Sequence, residues 1–224
     1  MPRSFRNFAC DEVVNQGDLD GRTRFLAILA ALRSAAEGLE RVPRHGARGA
    51  ALRRQPGGNP GNRLQATAYL GIGRVYPFLL AMNQAFEAEG IALPLPQPSL
   101  PPRGETRLEA GNQTQVDIFG EGMRGFQDSG PEESRHINRW LADNCFGDYY
   151  TRTGLNLKQR EMITFCFLAA QGGCEPQLTS HAKGNMNLGN DKDFLIRVVS
   201  QCLPYIGYPR SLNAVACINK AAEQ

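Results

Sequence analysis

The chain repeats itself at a constant offset of 136 residues within its 224. Leu19, Arg24 and Leu32 fall on Leu155, Arg160 and Leu168, and Gln65, Tyr69, Gly71, Arg74, Asn83 and Ala85 fall on Gln201, Tyr205, Gly207, Arg210, Asn219 and Ala221. An offset that holds across so many anchors implies two copies of one structural unit, each burying an apolar face that it cannot bury alone.

The second copy reads as helix throughout. Asn156 is placed to cap a helix with Gln159 three residues on, and Met162, Ile163, Phe165, Cys166, Leu168 and Ala169 follow at helical spacing. That helix should stop at Gly172-Gly173, and a second runs from Glu175 to Asn187 with Cys174 at its start. Asn190 is the expected cap of a third helix through Phe194, Ile196, Val198 and Val199, and Pro209 suits the first turn of a fourth. The fold class that follows is all-α, a helical bundle of two repeats.

In the first copy the flanks, Thr23 to Leu32 and Leu64 to Phe86, keep this pattern, but residues 33–64 break it. The glycines and prolines of that stretch suit no bundle helix, so the first repeat is expected to lack its central helices. Seven arginines against two glutamates give it a surplus of +5, which leaves 3 − 5 = −2 for the rest of a chain with a net charge of +3. No aromatic residue is interleaved with those arginines, so the basic stretch does not read as a nucleic-acid surface. Two readings stay open: a flexible basic insertion in place of a helical hairpin, or a slip of the reading frame near residue 33 that is restored near 64. The Arg, Gly, Ala and Pro bias favours the slip.

Three regions result: a degraded first repeat (1–92), a proline-rich linker with a connecting helix (93–127), and an intact repeat (128–224). Within the middle region Arg107 to Phe119 is weakly helical, and Pro131 opens a clearer helix through Ile137, Trp140, Leu141 and Cys145. The six cysteines lack the close pairing of a zinc site or a CxxC motif and read as free thiols, with Cys166, Cys202 and Cys217 on core-facing positions. No apolar run approaches the roughly 18 residues of a membrane helix. A cytoplasmic protein with no metal and no cofactor is expected.

The run FGDYYTRTGLNLKQREMITFCFLAAQGGCEPQLTSHAKGNMNLGN (146–190), with QCLPYIGYPRSLNAV (201–215), resembles a carboxymuconolactone decarboxylase repeat of the alkyl hydroperoxidase D-like superfamily. The resemblance implies an all-helical fold and assembly into homo-oligomers, trimers or hexamers. In the peroxidase-like members a glutamate, a CxxC pair and a histidine form a proton relay. The matching positions here hold Glu161, Cys174, Gln177 and His181. Gln177 stands where the second cysteine would be, so the intrahelical disulfide of those members cannot form.

On one helix, residues 174, 177 and 181 share a face, and the seven-residue gap between Cys174 and His181 spans about 10 Å. A bridging water, Gln177 or a substrate would lie between them. Cys174 sits at the expected helix N-terminus, where the dipole is expected to lower its pKa, while His181 suits general acid or base work and Glu161 its orientation. Without the resemblance each has a structural reading, as a small buried thiol, a packed histidine and a first-turn carboxylate. Phe25 and Gly38 occupy the positions of Glu161 and Cys174 in the first copy, which is expected to be catalytically empty despite His45 at the position of His181.

The leading expectation is a thiol-dependent peroxidase: Cys174 attacks a hydroperoxide, His181 and Glu161 deliver the proton, and an external thiol reductant or Cys145 resolves the product. The alternatives are a lyase acting on a carboxylated lactone, which needs no cysteine pair, and a non-catalytic oligomeric or binding protein.

Overall fold

The computed structural model describes residues 3–34, 60–88, 90–94 and 105–224. Helical turns dominate, and no strand occurs among the described residues, as the all-α expectation requires. In chain order they are α1 (Arg3–Asn7), continued by π-helical (Phe8–Glu12) and 3-10 (Val13–Asn15) turns, α2 (Gly21–Ser34), α3 (Pro60–Leu70), α4 (Ile72–Ala88) and α5 (Glu105–Phe119). Then follow α6 (Arg135–Trp140), which widens into a π-helical stretch at Leu141–Tyr150, α7 (Leu157–Gln171), α8 (Glu175–Asn187), α9 (Lys192–Ile206) and α10 (Tyr208–Ala222).

The local sequence explains most of these boundaries. The Asn156 side chain accepts from the Gln159 N–H at 2.9 Å while the Gln159 side chain accepts from the Asn156 N–H at 3.2 Å, a reciprocal capping box at the start of α7. Gly172, with φ +69°, ends that helix. The cap of α9 differs from expectation: it is Asp191, whose side chain accepts from Phe194 N–H at 2.7 Å. Asn190 instead ties α9's approach to its neighbours, donating to the Lys158 carbonyl at 3.0 Å and to Asn185 Oδ1 at 2.9 Å. Pro131 lies in a turn and α6 begins only at Arg135.

Helix bounds recur at the sequence offset. α2 starts at Gly21 and α7 at Leu157, α3 ends at Leu70 and α9 at Ile206, and α4 and α10 start at Ile72 and Tyr208, each pair 136 apart. The segment Leu64 to Phe86 is therefore two helices, broken at Gly71 (φ +75°) as α9 and α10 are broken at Gly207 (φ +80°). Pro60 to Leu64, at the end of the anomalous stretch, belongs to α3, with proline in the first turn where its missing N–H costs nothing. The remainder of that stretch, residues 35–59 with Gly38 and His45, and residues 95–104 of the linker lie outside the described residues.

One apolar core joins the two halves. Leu26, Ala27 and Ala30 of α2 and Ala66 of α3 pack with Ile163, Phe165 and Phe167 of α7, Leu195 and Val198 of α9 and Ala214 and Ile218 of α10. α5 lies against the π-helical stretch at backbone distance. A Cβ on Gly111 would stand 1.9 Å from the Ala142 carbonyl oxygen, and one on Gly147 would stand 2.6 Å from that of Arg107, so only glycine permits this crossing. Arg107 closes it from the side with an ion pair to Asp143. The crossing brings Phe119 at the end of α5 and Tyr150 at the end of the π stretch onto α7 and α8.

Candidate active site

Every residue of α7 from Arg160 to Ala170 is buried, so its polar members must find partners inside the protein. Glu161 is fully buried and divides its two oxygens. Oε2 lies 2.7 Å from His181 Nδ1 on α8, and Oε1 accepts the Tyr150 hydroxyl at 2.6 Å. The Tyr150 oxygen is also 2.7 Å from Thr164 Oγ1 and 3.0 Å from the Tyr69 hydroxyl on α3. Gln65, one turn before Tyr69, donates through Nε2 to Thr164 Oγ1 at 2.8 Å and to the Arg160 carbonyl at 3.1 Å. Arg160 returns a bond from Nη1 to Gln65 Oε1 at 2.9 Å and places Nη2 2.5 Å from the Arg152 carbonyl.

Two consecutive residues of opposite charge, Arg160 and Glu161, are thus both withdrawn from water without touching each other. Gln65, Thr164 and Tyr150 bridge them with neutral hydrogen bonds, which offset the cost of two separate buried charges. Burial brings the Arg160 guanidinium down to about 10, so it remains cationic at neutral pH. Burial also pushes the Tyr69 and Tyr150 phenols well above the usual tyrosine range, which keeps both as neutral hydroxyls.

The His181 ring is held on both sides. Its centroid lies 5.3 Å from that of Phe119 and 5.5 Å from that of Tyr69, both edge-on. One turn further along α8, Gly184 leaves room for the pair: a Cβ there would sit 2.8 Å from Ile118 and Phe119 and 3.1 Å from Glu161 Oε2. The contact to Glu161 engages Nδ1 and leaves Nε2 as the ring nitrogen available to take up or give a proton.

Of the residues predicted from sequence, the structure brings Glu161 and His181 together. Cys174 and Gln177 stand outside their hydrogen-bonded set. The Cys174 thiol caps no helix N–H; it donates to the Leu168 carbonyl at 3.4 Å and lines a small pocket with Arg210 and Asn213. The expected lowering of its pKa is reversed: partial burial, then the adjacent Glu175 carboxylate and the Cys217 thiol, push it up. Gln177 is exposed. Cys145 is buried beside the Tyr69 hydroxyl, and burial pushes its thiol up to about 12. Cys166, Cys202 and Cys217 are buried, as their spacing predicted.

Tyr150, Thr164, Tyr69 and Gln65 were not foreseen as site residues. Gln65 and Tyr69 did carry a signal, since they are anchors of the repeat at polar positions on a helix that packs into the core. Tyr150 carried none. It reaches Glu161 from a π-helical stretch, a local widening that frequently accompanies functional sites and that hydrophobic periodicity does not show.

Residues 136–220 match the model of the carboxymuconolactone decarboxylase family. Over these residues the chain is similar to that family. Comparison with curated proteins returns no match. The matched stretch contains Tyr150, Glu161, Thr164, Cys174, Gln177 and His181, whereas Gln65 and Tyr69 reach it from outside the matched residues. Among the described residues no helix is long and apolar enough to cross a membrane, and no three His, Cys, Asp or Glu side chains cluster as metal ligands would.

Proposed function

We propose that the protein performs acid–base chemistry as a lyase on a carboxylated lactone, with His181 moving the proton and Glu161 orienting it. The observation that carries this reading is the buried 2.7 Å contact between His181 Nδ1 and Glu161 Oε2, which includes no thiol. When the carbon–carbon bond to the substrate carboxylate breaks, carbon dioxide leaves and its bonding electron pair stays on the ring; a proton that His181 Nε2 has first taken up from solvent passes to that carbon and quenches it, which returns the imidazole to its neutral form. Purified protein should consume γ-carboxymuconolactone, followed by its ultraviolet absorbance. Cys174→Ala should keep that activity and His181→Ala should lose it; activity that needs Cys174 would overturn the assignment.

The thiol-dependent peroxidase remains the second reading, because Cys174 is only half-buried and lies at the start of the helix that carries His181. It requires the Cys174 sulfur to attack the hydroperoxide oxygen, the alcohol to leave with a proton, and an external thiol to reduce the sulfenate. Peroxide consumption that disappears in Cys174→Ser would favour it. No turnover of either substrate would favour a non-catalytic role.

The same reading includes assembly into a homo-oligomer. Ile72 and Tyr76 on α4 and, 136 residues on, Tyr208 and Leu212 on α10 are each more than half exposed, and apolar groups displayed at the same positions of both halves suit contacts between copies. Light scattering that returns a trimer or hexamer supports this, and a monomer of 24.6 kDa overturns it.

A further inference from the structure

We propose that Tyr69 and Gln65 of α3 are positioning residues for the Glu161–His181 pair, so that the N-terminal half completes a site whose acid and base lie in the C-terminal half. The proposal rests on the acid–base reading above. Tyr69 and Gln65 are four residues apart and share one face of α3, which is laid against α7 and the end of the π-helical stretch.

The direction of every hydrogen bond in the chain is fixed by its two ends. A guanidinium only donates and a carboxylate only accepts. Arg160 therefore turns the Gln65 oxygen toward itself and leaves the Gln65 N–H groups for Thr164. Thr164, accepting there, offers its own proton to the Tyr150 oxygen, and Tyr150 gives its proton to Glu161 Oε1. Tyr69 supplies the second donor to the Tyr150 oxygen at 3.0 Å. All donors thus point toward Glu161, and each bond polarises the next.

The consequence falls on His181. A carboxylate that accepts a strong hydrogen bond at Oε1 stabilises a positive charge at Oε2 less than one that does not. The Tyr69 hydroxyl, by strengthening Tyr150 as a donor, holds down the pull of Glu161 on the imidazole proton. Its ring edge against His181 fixes the plane in which that proton lies. Neither contact comes from the residues that match the family.

The test uses the full-length protein and Tyr69→Phe, which keeps the ring and removes the hydroxyl. Diethyl pyrocarbonate modifies a neutral imidazole nitrogen, so the rate at His181, read by peptide mass against pH, reports the pair without any substrate. In Tyr69→Phe the pH profile of that rate should move to higher pH by on the order of half a unit. γ-Carboxymuconolactone turnover should lose kcat several-fold with KM unchanged. Tyr205→Phe removes the hydroxyl at the matching position of the other half and should move neither. Tyr150→Phe should move the profile further, and adding Tyr69→Phe to it should change little, because Tyr69 acts through Tyr150. A Tyr69→Phe profile that coincides with the wild type's in a protein of unchanged melting behaviour would overturn the proposal. If the wild type fails to turn over the lactone but the profile moves, the choice of substrate fails and the positioning role stands.

Discussion

The two halves of the chain reach into each other with the same residues, Gln65 and Tyr69 on α3 and Gln201 and Tyr205 on α9, and meet opposite environments. Gln65 and Tyr69 meet Thr164, Tyr150 and the Glu161–His181 pair. Gln201 meets main chain, donating to the Val13 carbonyl at 2.7 Å, and Tyr205 packs against an apolar cluster of Leu32, Phe78, Met82 and Phe86 beside Ile28. At the offset of 136 the contrast runs residue by residue: Phe25 stands for Glu161, Ile28 for Thr164, Val14 for Tyr150 and Ala9 for Cys145.

What the two regions share is therefore separable from what distinguishes them. Arg24 and Arg160 both send Nη2 to carbonyls of the preceding segment, Val14 and Leu19 in one half and Arg152 in the other, and in both the buried Nε has no partner. The arginine and glutamine pin helices and persist in both halves. The Glu161 carboxylate, the Tyr150 and Thr164 hydroxyls and the Cys145 thiol are present in one half only, and the other half packs apolar side chains at the same positions, so the repeat fold does not require them.

The largest break in this contrast should come from Glu161→Gln, which preserves shape and removes the charge that orients His181. Lactone turnover should fall by about 10²–10⁴-fold, while Phe25→Leu at the matching position should leave it within about threefold of wild type. Comparable losses in both variants would mean that the N-terminal half also carries chemistry. A smaller effect is expected on stability. Gln65 is fully buried and its loss strands a guanidinium donor and takes one partner from the Thr164 hydroxyl, so Gln65→Leu should cost about 3 kcal/mol, against about 1 kcal/mol for Gln201→Leu, which loses bonds to neutral carbonyls. Denaturant midpoints measure both, and equal losses would remove the distinction between a bridge to charge and a tie to backbone.

The sequence reveals helices through caps and glycine stops, and those signals placed α7, α8 and α10 within a residue or two. It misassigned the cap of α9 because Asn190 and Asp191 are adjacent and equally suited; tertiary partners at Lys158 and Asn185 claim Asn190. Glu161 and His181 were legible as a pair because the family pattern fixes their spacing. Their partners were not, since Tyr150 comes from a π-helical turn and Tyr69 from the other half, 112 residues before His181 in sequence. The Cys174 pKa was misjudged for a physical reason. The dipole of a helix N-terminus acts on a thiol that caps it, whereas this thiol bonds back to Leu168 beside an acidic neighbour.

Cys145 offers the subtlest way to separate the halves, because Ala9 stands at its matching position and titrates nothing. Burial raises the folded-state pKa of this thiol to about 12, above its ordinary value of 9.0. Between those values the folded protein retains a proton that the unfolded chain has lost, so the contribution to stability is whole below pH 9 and is lost progressively as pH rises toward 12. Cys145→Ala removes that linkage and makes the position resemble the other half. Its melting temperature should therefore fall less steeply with pH above 9 than that of the wild type, and the two curves should run parallel below it. Parallel curves throughout the alkaline range would mean that Cys145 ionises as an exposed thiol does, and that the Tyr69–Tyr150 end of the site is open to water.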